Sequence, residues 1–154
     1  MFFGLLRQHG IEVLADVRSK PYTRYSRHFN GPELKQSAFA SGFKYLFLGK
    51  EMGGMPENRD YYDEDGHLDY VRVATGAPFQ HGLERLKNGI GLYRVVLMCG
   101  EENPQGCHRR NLIAKQLAPQ GIIVNHIRAD GSLQTEQDLL ELEKEPDNGQ
   151  LRLF

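Results

Sequence analysis

Apolar positions in this chain come in short runs whose spacing switches between strand and helix periods. Residues 11–17 carry Val13, Leu14, Ala15 and Val17, a nearly continuous apolar run that predicts a buried strand. Residues 43–48 alternate as a second strand, residues 91–98 end in Val95-Val96-Leu97-Met98 as a third, and residues 122–127 read as a fourth. Helical spacing separates them. A helix over residues 2–9 closes at Gly10, and one over 33–41 starts after Pro32 and stops at Gly42. Further helices are predicted over 70–75, over 78–87 with Phe79, Leu83 and Leu86 on one side, over 107–117 with Leu112, Ile113 and Leu117 facing inward, and over 133–143. Alternating strands and helices imply an α/β fold: a three-layer sandwich with a mostly parallel central sheet, Rossmann-like. The dinucleotide fingerprint GxGxxG and the phosphate loop GxxxxGK[ST] are both missing, so no cofactor is expected. Residues 49–66 form a Gly-, Pro- and Asp-rich connection longer than most loops, of the kind that covers sites.

At 154 residues the chain suits a single α/β domain over 1–147, with residues 148–154 as a tail. A formal charge of -1 argues neither for nor against nucleic acid, but its distribution is uneven. Between positions 16 and 35 lie five basic residues (Arg18, Lys20, Arg24, Arg27, Lys35) against two acidic ones. Between 130 and 147 lie seven acidic residues and one lysine. A basic surface of this kind suits an anionic ligand, and solvated charge is the plainer reading. No apolar window is long enough to span a bilayer, so no membrane partner is expected. A cytoplasmic location follows as the expectation, with both cysteines reduced. Two cysteines and one adjacent histidine are too few for a zinc site, and no metal is expected.

The candidate chemistry gathers at two predicted strand ends. One strand runs into Asp16-Val17-Arg18, with Arg24 on the loop beyond. Arginine forks match phosphate or carboxylate, which makes Arg18 and Arg24 candidate phosphate ligands; a local Asp16–Arg18 ion pair explains the same residues. The other runs into Cys99-Gly100-Glu101, then Pro104, then Cys107-His108-Arg109 at a helix start. Helix-start amides stabilise an anion or a thiolate, so Cys99, Glu101, Cys107 and His108 are candidate catalytic residues and Arg109 a third phosphate ligand. Small buried cysteines are also ordinary core residues. In open α/β sheets, ligands bind beyond the carboxyl ends of strands, and this places both clusters in one expected pocket. Gly49, Gly53 and Gly54 allow close backbone approach to a ligand or simply shape a loop. Tyr22, Tyr25 and Phe29 are of a type that stacks on bases or packs without a ligand.

The chain closes with Gln150-Leu151-Arg152-Leu153-Phe154 after a Pro-Asp-Asn-Gly spacer. This pentapeptide resembles the segment by which bacterial replication and repair proteins dock on the sliding clamp. That resemblance implies that Leu153 and Phe154 fill an apolar pocket, that Leu151 belongs to the same docking segment, and that Gln150 fixes the register. An edge strand packed on the domain is the alternative.

Across essentially its whole length the chain resembles the domain of unknown function 488 family. The resemblance is carried by Asp16-Val17-Arg18 with Pro21 and Arg24, Phe29-Asn30, Leu48-Gly49 with Gly53-Gly54, Phe79, and Gly82-Leu83. It continues through Leu97-Met98-Cys99-Gly100-Glu101, Pro104, Cys107-His108-Arg109 and Val124-Asn125-His126-Ile127. It implies a small α/β domain and no established reaction. Family members usually begin with a further strand bearing a Thr-Ile-Gly-His type segment. Here the sequence opens at Phe2-Phe3-Gly4-Leu5-Leu6, as a natural variant or a shortened start, without that strand and its histidine. Three functions remain open at this point. The first is a nucleic-acid-associated DNA repair or processing protein with an arginine-lined phosphate pocket, with DNA or a nucleotide and the sliding clamp as partners. The second is a small-molecule enzyme with a cysteine nucleophile, and the third a noncatalytic binding or adaptor module.

Overall fold

The first apolar run sets the architecture. In the computed structural model, which describes residues 2–144, strand β1 (Val13–Asp16) is buried at every position. A strand buried on both faces and paired on both edges is a central one. β2 (Lys44–Phe47) pairs with it in parallel on one side and β3 (Val95–Met98) in parallel on the other, giving the order β2-β1-β3. Ala15 faces Leu46 across one ladder and Leu97 across the other.

The strand period of two sorts side chains into two apolar layers. Leu14, Tyr45, Val96 and Met98 point to one face, where α1 (Phe2–Gln8) and α2 (Gly31–Ala40) cover them with Leu6, Leu34 and Ala38. Ala15, Leu46, Val95, Leu97 and Cys99 point to the other. There, α3 (Gly49–Met52), α4 (Tyr70–Thr75) and α5 (Ala77–Leu92) supply Met52, Val73, Phe79, Leu83 and Leu86. The same layer receives Leu112, Ile113 and Leu117 from a helical stretch, a π-helical segment Arg109–Ala114 running into α6 (Lys115–Leu117). The fold is thus a three-layer α/β sandwich on a parallel sheet. Burial of a large apolar side chain such as Leu14 or Leu34 contributes about 2 kcal/mol.

Three expectations differ from what forms. Residues 122–127 do not join the central sheet. Only β4 (Asn125–Ile127) is a strand, and it pairs antiparallel with β5 (Leu133–Thr135) in a separate ribbon. The helix expected from residue 133 starts instead as α7 (Glu136–Lys144). The cause is a reciprocal cap: Asp138 N–H donates to Thr135 Oγ1 at 2.9 Å and Thr135 N–H donates to Asp138 Oδ2 at 3.0 Å. Finally, the long connection after residue 48 is partly structured. It holds α3, a short 3-10 turn Arg59–Tyr61, and a bridge from Tyr62 to Leu68.

Candidate functional site at the strand ends

Parallel pairing brings the carboxyl ends of β1 and β3 side by side, since Asp16 is the register partner of Met98. The two predicted clusters are therefore neighbours, but they differ in how their polar groups are used.

At the end of β1, Asp16 is fully buried. Arg18 spans its carboxylate with Nε to Oδ1 and Nη2 to Oδ2, both at 2.8 Å. Tyr45 donates its hydroxyl to Oδ2 at 2.7 Å, and Arg18 Nη2 also donates to the Phe29 carbonyl at 2.7 Å. Burial, followed by the hydrogen bond to Asp16, pushes the Tyr45 phenol far above its usual range. The Arg18 fork is occupied by Asp16 and ties the 19–29 loop to the sheet. Arg24 is exposed, with its guanidinium over the ring of Tyr25 at 6.0 Å, and it does not line the cavity that Arg18 and Arg109 border.

At the end of β3 the sulfurs of Cys99 and Cys107 stand in bonding contact, with Cα atoms 7.6 Å apart, and neither cysteine is free. The expectation of two reduced thiols gives way in this structure to a bonded pair. The local geometry is simple: the pleat sends Cys99 to the α5 face, and the chain returns through a 3-10 turn Pro104–Gly106 that sets Cys107 just before the helix. N–H donors point at both sulfurs. Glu101 N–H lies 3.4 Å from Cys99 Sγ and Arg109 Nη1 3.5 Å from it. The backbone N–H of Arg109 lies 3.4 Å from Cys107 Sγ. Donors of this kind favour a thiolate. The Arg109 guanidinium is held by the carbonyls of Glu101 and Glu102 at 3.1 and 3.3 Å. Cys107 is buried, whereas Cys99 is half-buried and opens on a cavity of about 990 Å³.

His108 is placed by the same turn. Its Nε2 lies 3.0 Å from the carbonyl of Val17, which only accepts, so Nε2 carries the proton and Nδ1 is left as an acceptor. Nδ1 faces Cys107 Sγ at 3.9 Å. Burial lowers the imidazole pKa, and the ring is neutral at pH 7. The glycines close against this knot rather than against a ligand. A Cβ on Gly54 would sit 2.9 Å from His108 Nδ1, and one on Gly53 would collide with Ser19. The carboxylate of Glu101 makes no hydrogen bond or ion pair among the described residues; only its backbone takes part.

Two ion clusters escaped the sequence reading. Arg110 is fully buried and pairs with Glu136 at 3.0 Å and Glu143 at 2.6 Å, while His126 Nε2 meets Glu136 at 3.1 Å. Glu136 and Glu143 are seven apart on α7, one face of a helix, and that spacing was the available signal. Arg128 pairs with Glu102 at 2.8 Å at the rim of the cavity. Among the described residues, Asp63, Asp65 and His67 lie close enough to share a cation; all three are exposed and lie in the 61–68 turn. The docking candidates Gln150, Leu151, Leu153 and Phe154 lie outside the described residues. No helix among the described residues is long and apolar enough to cross a membrane.

Fold and site together define a small α/β domain with a paired-cysteine, arginine-backed centre at the carboxyl ends of a parallel sheet. The family model for Domain of unknown function DUF488 matches residues 1–116. The chain belongs to that family, and the matched span includes both strand-end clusters. No curated protein and no solved structure matches the chain.

Proposed function

We propose that the Cys99–Cys107 pair is a thiol centre that exchanges with a small disulfide or thiol substrate. The observation that carries this reading is the pairing of the two sulfurs at a strand end, each with an N–H donor aimed at it. In a reducing cytoplasm the resting form is the dithiol. The half-buried Cys99 thiolate, steadied by Arg109, attacks one sulfur of a substrate disulfide. A Cys99–substrate bond forms, the substrate S–S bond breaks, and one substrate thiolate leaves. His108 Nδ1 takes the proton of Cys107, whose thiolate attacks Cys99 Sγ and expels the second substrate thiolate. Two electrons pass from the dithiol to the substrate.

The test is to reduce the protein, challenge it with oxidised glutathione and follow intact mass. The wild type is expected to end two hydrogens lighter with no adduct. Cys107→Ser is expected to accumulate one glutathione adduct, mapped to Cys99. Reaction at Cys99 no faster than that of a free thiol sinks the proposal.

A second reading, nucleic-acid association in repair or processing, is favoured by a different surface. Tyr22 and Tyr25 are 67% and 89% exposed on the basic loop, with Arg24 against Tyr25. Exposed aromatics interleaved with arginines suit single strands. Binding of a fluorescent oligonucleotide that weakens with salt, and weakens again in the Tyr22→Ala, Tyr25→Ala double variant, supports it; affinity unchanged by the double variant removes it. Recruitment by a sliding clamp through residues 150–154 belongs to this reading, and its check is clamp affinity before and after removing Leu153 and Phe154.

A further inference from the structure

Around Cys99, most charged side chains that line the cavity already have a partner among the described residues. Glu102 and Arg128 close on each other, and the Ala129 N–H completes the Glu102 carboxylate. Arg18 is matched by Asp16. The Arg109 guanidinium and the Glu101 carboxylate are left over, and both residues line the cavity together with Cys99.

Arg109 is held in place without being used up. Its Nη1 donates to Cys99 Sγ at 3.5 Å and to the Glu101 carbonyl at 3.1 Å, and its Nη2 donates to the Glu102 carbonyl at 3.3 Å. A guanidinium has more N–H donors than these contacts take. Nε and the second hydrogen of Nη2 have no acceptor among the described residues. Together they form the side edge of the fork, the edge by which Arg18 spans the Asp16 carboxylate. No buried side-chain nitrogen among the described residues lacks a partner, so this edge of Arg109 reaches solvent. A rigid, open guanidinium edge is a ready bidentate ligand for a carboxylate.

Glu101 is its counterpart of opposite sign. Its backbone is fixed at the same sulfur, with its N–H 3.4 Å from Cys99 Sγ and its carbonyl on Arg109. Its carboxylate is exposed and has no bonding partner among the described residues. Burial lowers the Arg109 pKa, and the carboxylates of Glu102 and Glu101 work against that through space. Glu101 is thus within electrostatic reach of the guanidinium, yet no ion pair closes the gap between them. A simple anion at this place would meet the Glu101 charge, and a simple cation would meet Arg109. A zwitterion meets the opposite sign at each end. In a cysteine unit the ammonium and the carboxylate both hang from the carbon next to the one that bears sulfur.

We propose that the substrate of the Cys99–Cys107 centre is an amino-acid disulfide of the cystine class, with its carboxylate on the Nε–Nη2 edge of Arg109 and its ammonium on Glu101. The proposal rests on the thiol-exchange reading and supplies the specificity of the same site. The Cys99 thiolate attacks one cystine sulfur, a Cys99–cysteine bond forms, the cystine S–S bond breaks, and one cysteine leaves as its thiolate. The Cys107 thiolate then attacks Cys99 Sγ and expels the second cysteine, so the dithiol is oxidised and cystine is reduced.

The test reduces the protein, removes the reductant and follows single-turnover loss of the Cys99 thiol with a set of disulfides. The set is L-cystine, D-cystine, N,N′-diacetyl-L-cystine, which lacks the ammonium, and cystamine, which lacks the carboxylate. Each rate is divided by that of the same disulfide with free 2-mercaptoethanol, which cancels its intrinsic reactivity. L-cystine is expected to exceed the diacetyl form and cystamine by roughly tenfold each, the worth of one hydrogen bond to a charged group. The two enantiomers react equally with an achiral thiol, and here they are expected to differ by roughly fivefold or more, because sulfur, ammonium and carboxylate are held at separate points. Glu101→Gln is expected to abolish the advantage over the diacetyl form and keep the advantage over cystamine, and Arg109→Ala to do the reverse. Ratios are taken within one variant, so a slower Cys99 cancels. Fast exchange with no preference among the disulfides, equal rates for the enantiomers, or preferences that survive both variants overturn the substrate assignment and leave thiol exchange standing. Rates at Cys99 no faster than those of the free thiol for every disulfide overturn both.

Discussion

The ends of β1 and β3 lie side by side and carry similar residue types, yet one is closed and the other is open. At β1, Asp16 and Arg18 use each other fully, with Tyr45 and the Phe29 carbonyl completing the set. At β3, Arg109 is held by two backbone carbonyls and still faces sulfur and the cavity. Composition alone does not separate these two ends. What separates them is whether each donor and acceptor already has a partner, because a buried ion left unpaired is costly and a satisfied one is structural. Arg109 and Arg110 repeat the contrast one residue apart: Arg110 is sealed between Glu136 and Glu143, whereas Arg109 reaches the site.

The comparison breaks most visibly at Asp16. Asp16→Ala leaves the Arg18 guanidinium and the Tyr45 hydroxyl without their buried acceptor. We expect a loss of about 3–5 kcal/mol, the usual result of removing one partner from a buried pair, read as the urea midpoint. A loss under about 1 kcal/mol would place Asp16 in a hydrated pocket rather than a closed knot. Arg110→Leu comes next, at about 2 kcal/mol, because its carboxylate partners keep some access to water. Its signature is release of α7, read as faster amide exchange there while β1 stays protected.

The sandwich and its parallel sheet were legible because Val13 to Val17 and Val95 to Met98 are apolar runs with helical segments between them. Both strand-end clusters were legible too, since parallel strands must deliver their carboxyl ends to one side. Residues 122–127 were misplaced because an apolar run specifies a strand but not its neighbour, and pairing is a tertiary outcome. The late start of α7 was encoded in Thr135-Glu136-Gln137-Asp138 as a cap, a signal weaker than the apolar residues around it. Among the arginines, sequence ranked Arg18, Arg24 and Arg109 as equals. The Asp16–Arg18 pair was legible as an alternative because the two residues lie two apart in sequence; what was not legible is that Tyr45 and the Phe29 carbonyl complete it, and that Arg109 turns back onto Cys99.

On the open side, Arg109→Ala is expected to leave stability within about 1 kcal/mol, since among the described residues the guanidinium is bound only through carbonyls and sulfur. Its effect falls on reactivity. Without the guanidinium 3.5 Å from its sulfur, the Cys99 thiolate loses its cation, and alkylation of the reduced protein at pH 7 slows by roughly tenfold. Arg18→Lys should not slow it. Equal slowing by both variants would mean that the two strand ends form one electrostatic unit, contrary to the division drawn between them.

The smallest expected effect lies at the rim, and it is readable only through pH. The Arg128 hydrogen bonds, and then the Ala129 N–H, lower the Glu102 carboxyl from 4.5 to about 2. A carboxyl depressed in the fold stabilises it fully above its unfolded pKa, and that contribution is lost as pH falls toward the folded value. The stability gap between wild type and Glu102→Gln should therefore be constant above about pH 4.5 and close as pH approaches 2. The pair is solvent-exposed, so 1 M salt should also shrink the gap at neutral pH. Alkylation of Cys99 should be unchanged, because Arg109 holds the carbonyl of Glu102 and not its carboxylate. A gap that ignores both pH and salt would show that Glu102 fixes the 128–132 turn by packing alone. In that case the rim belongs with the closed end of the sheet rather than with the open one.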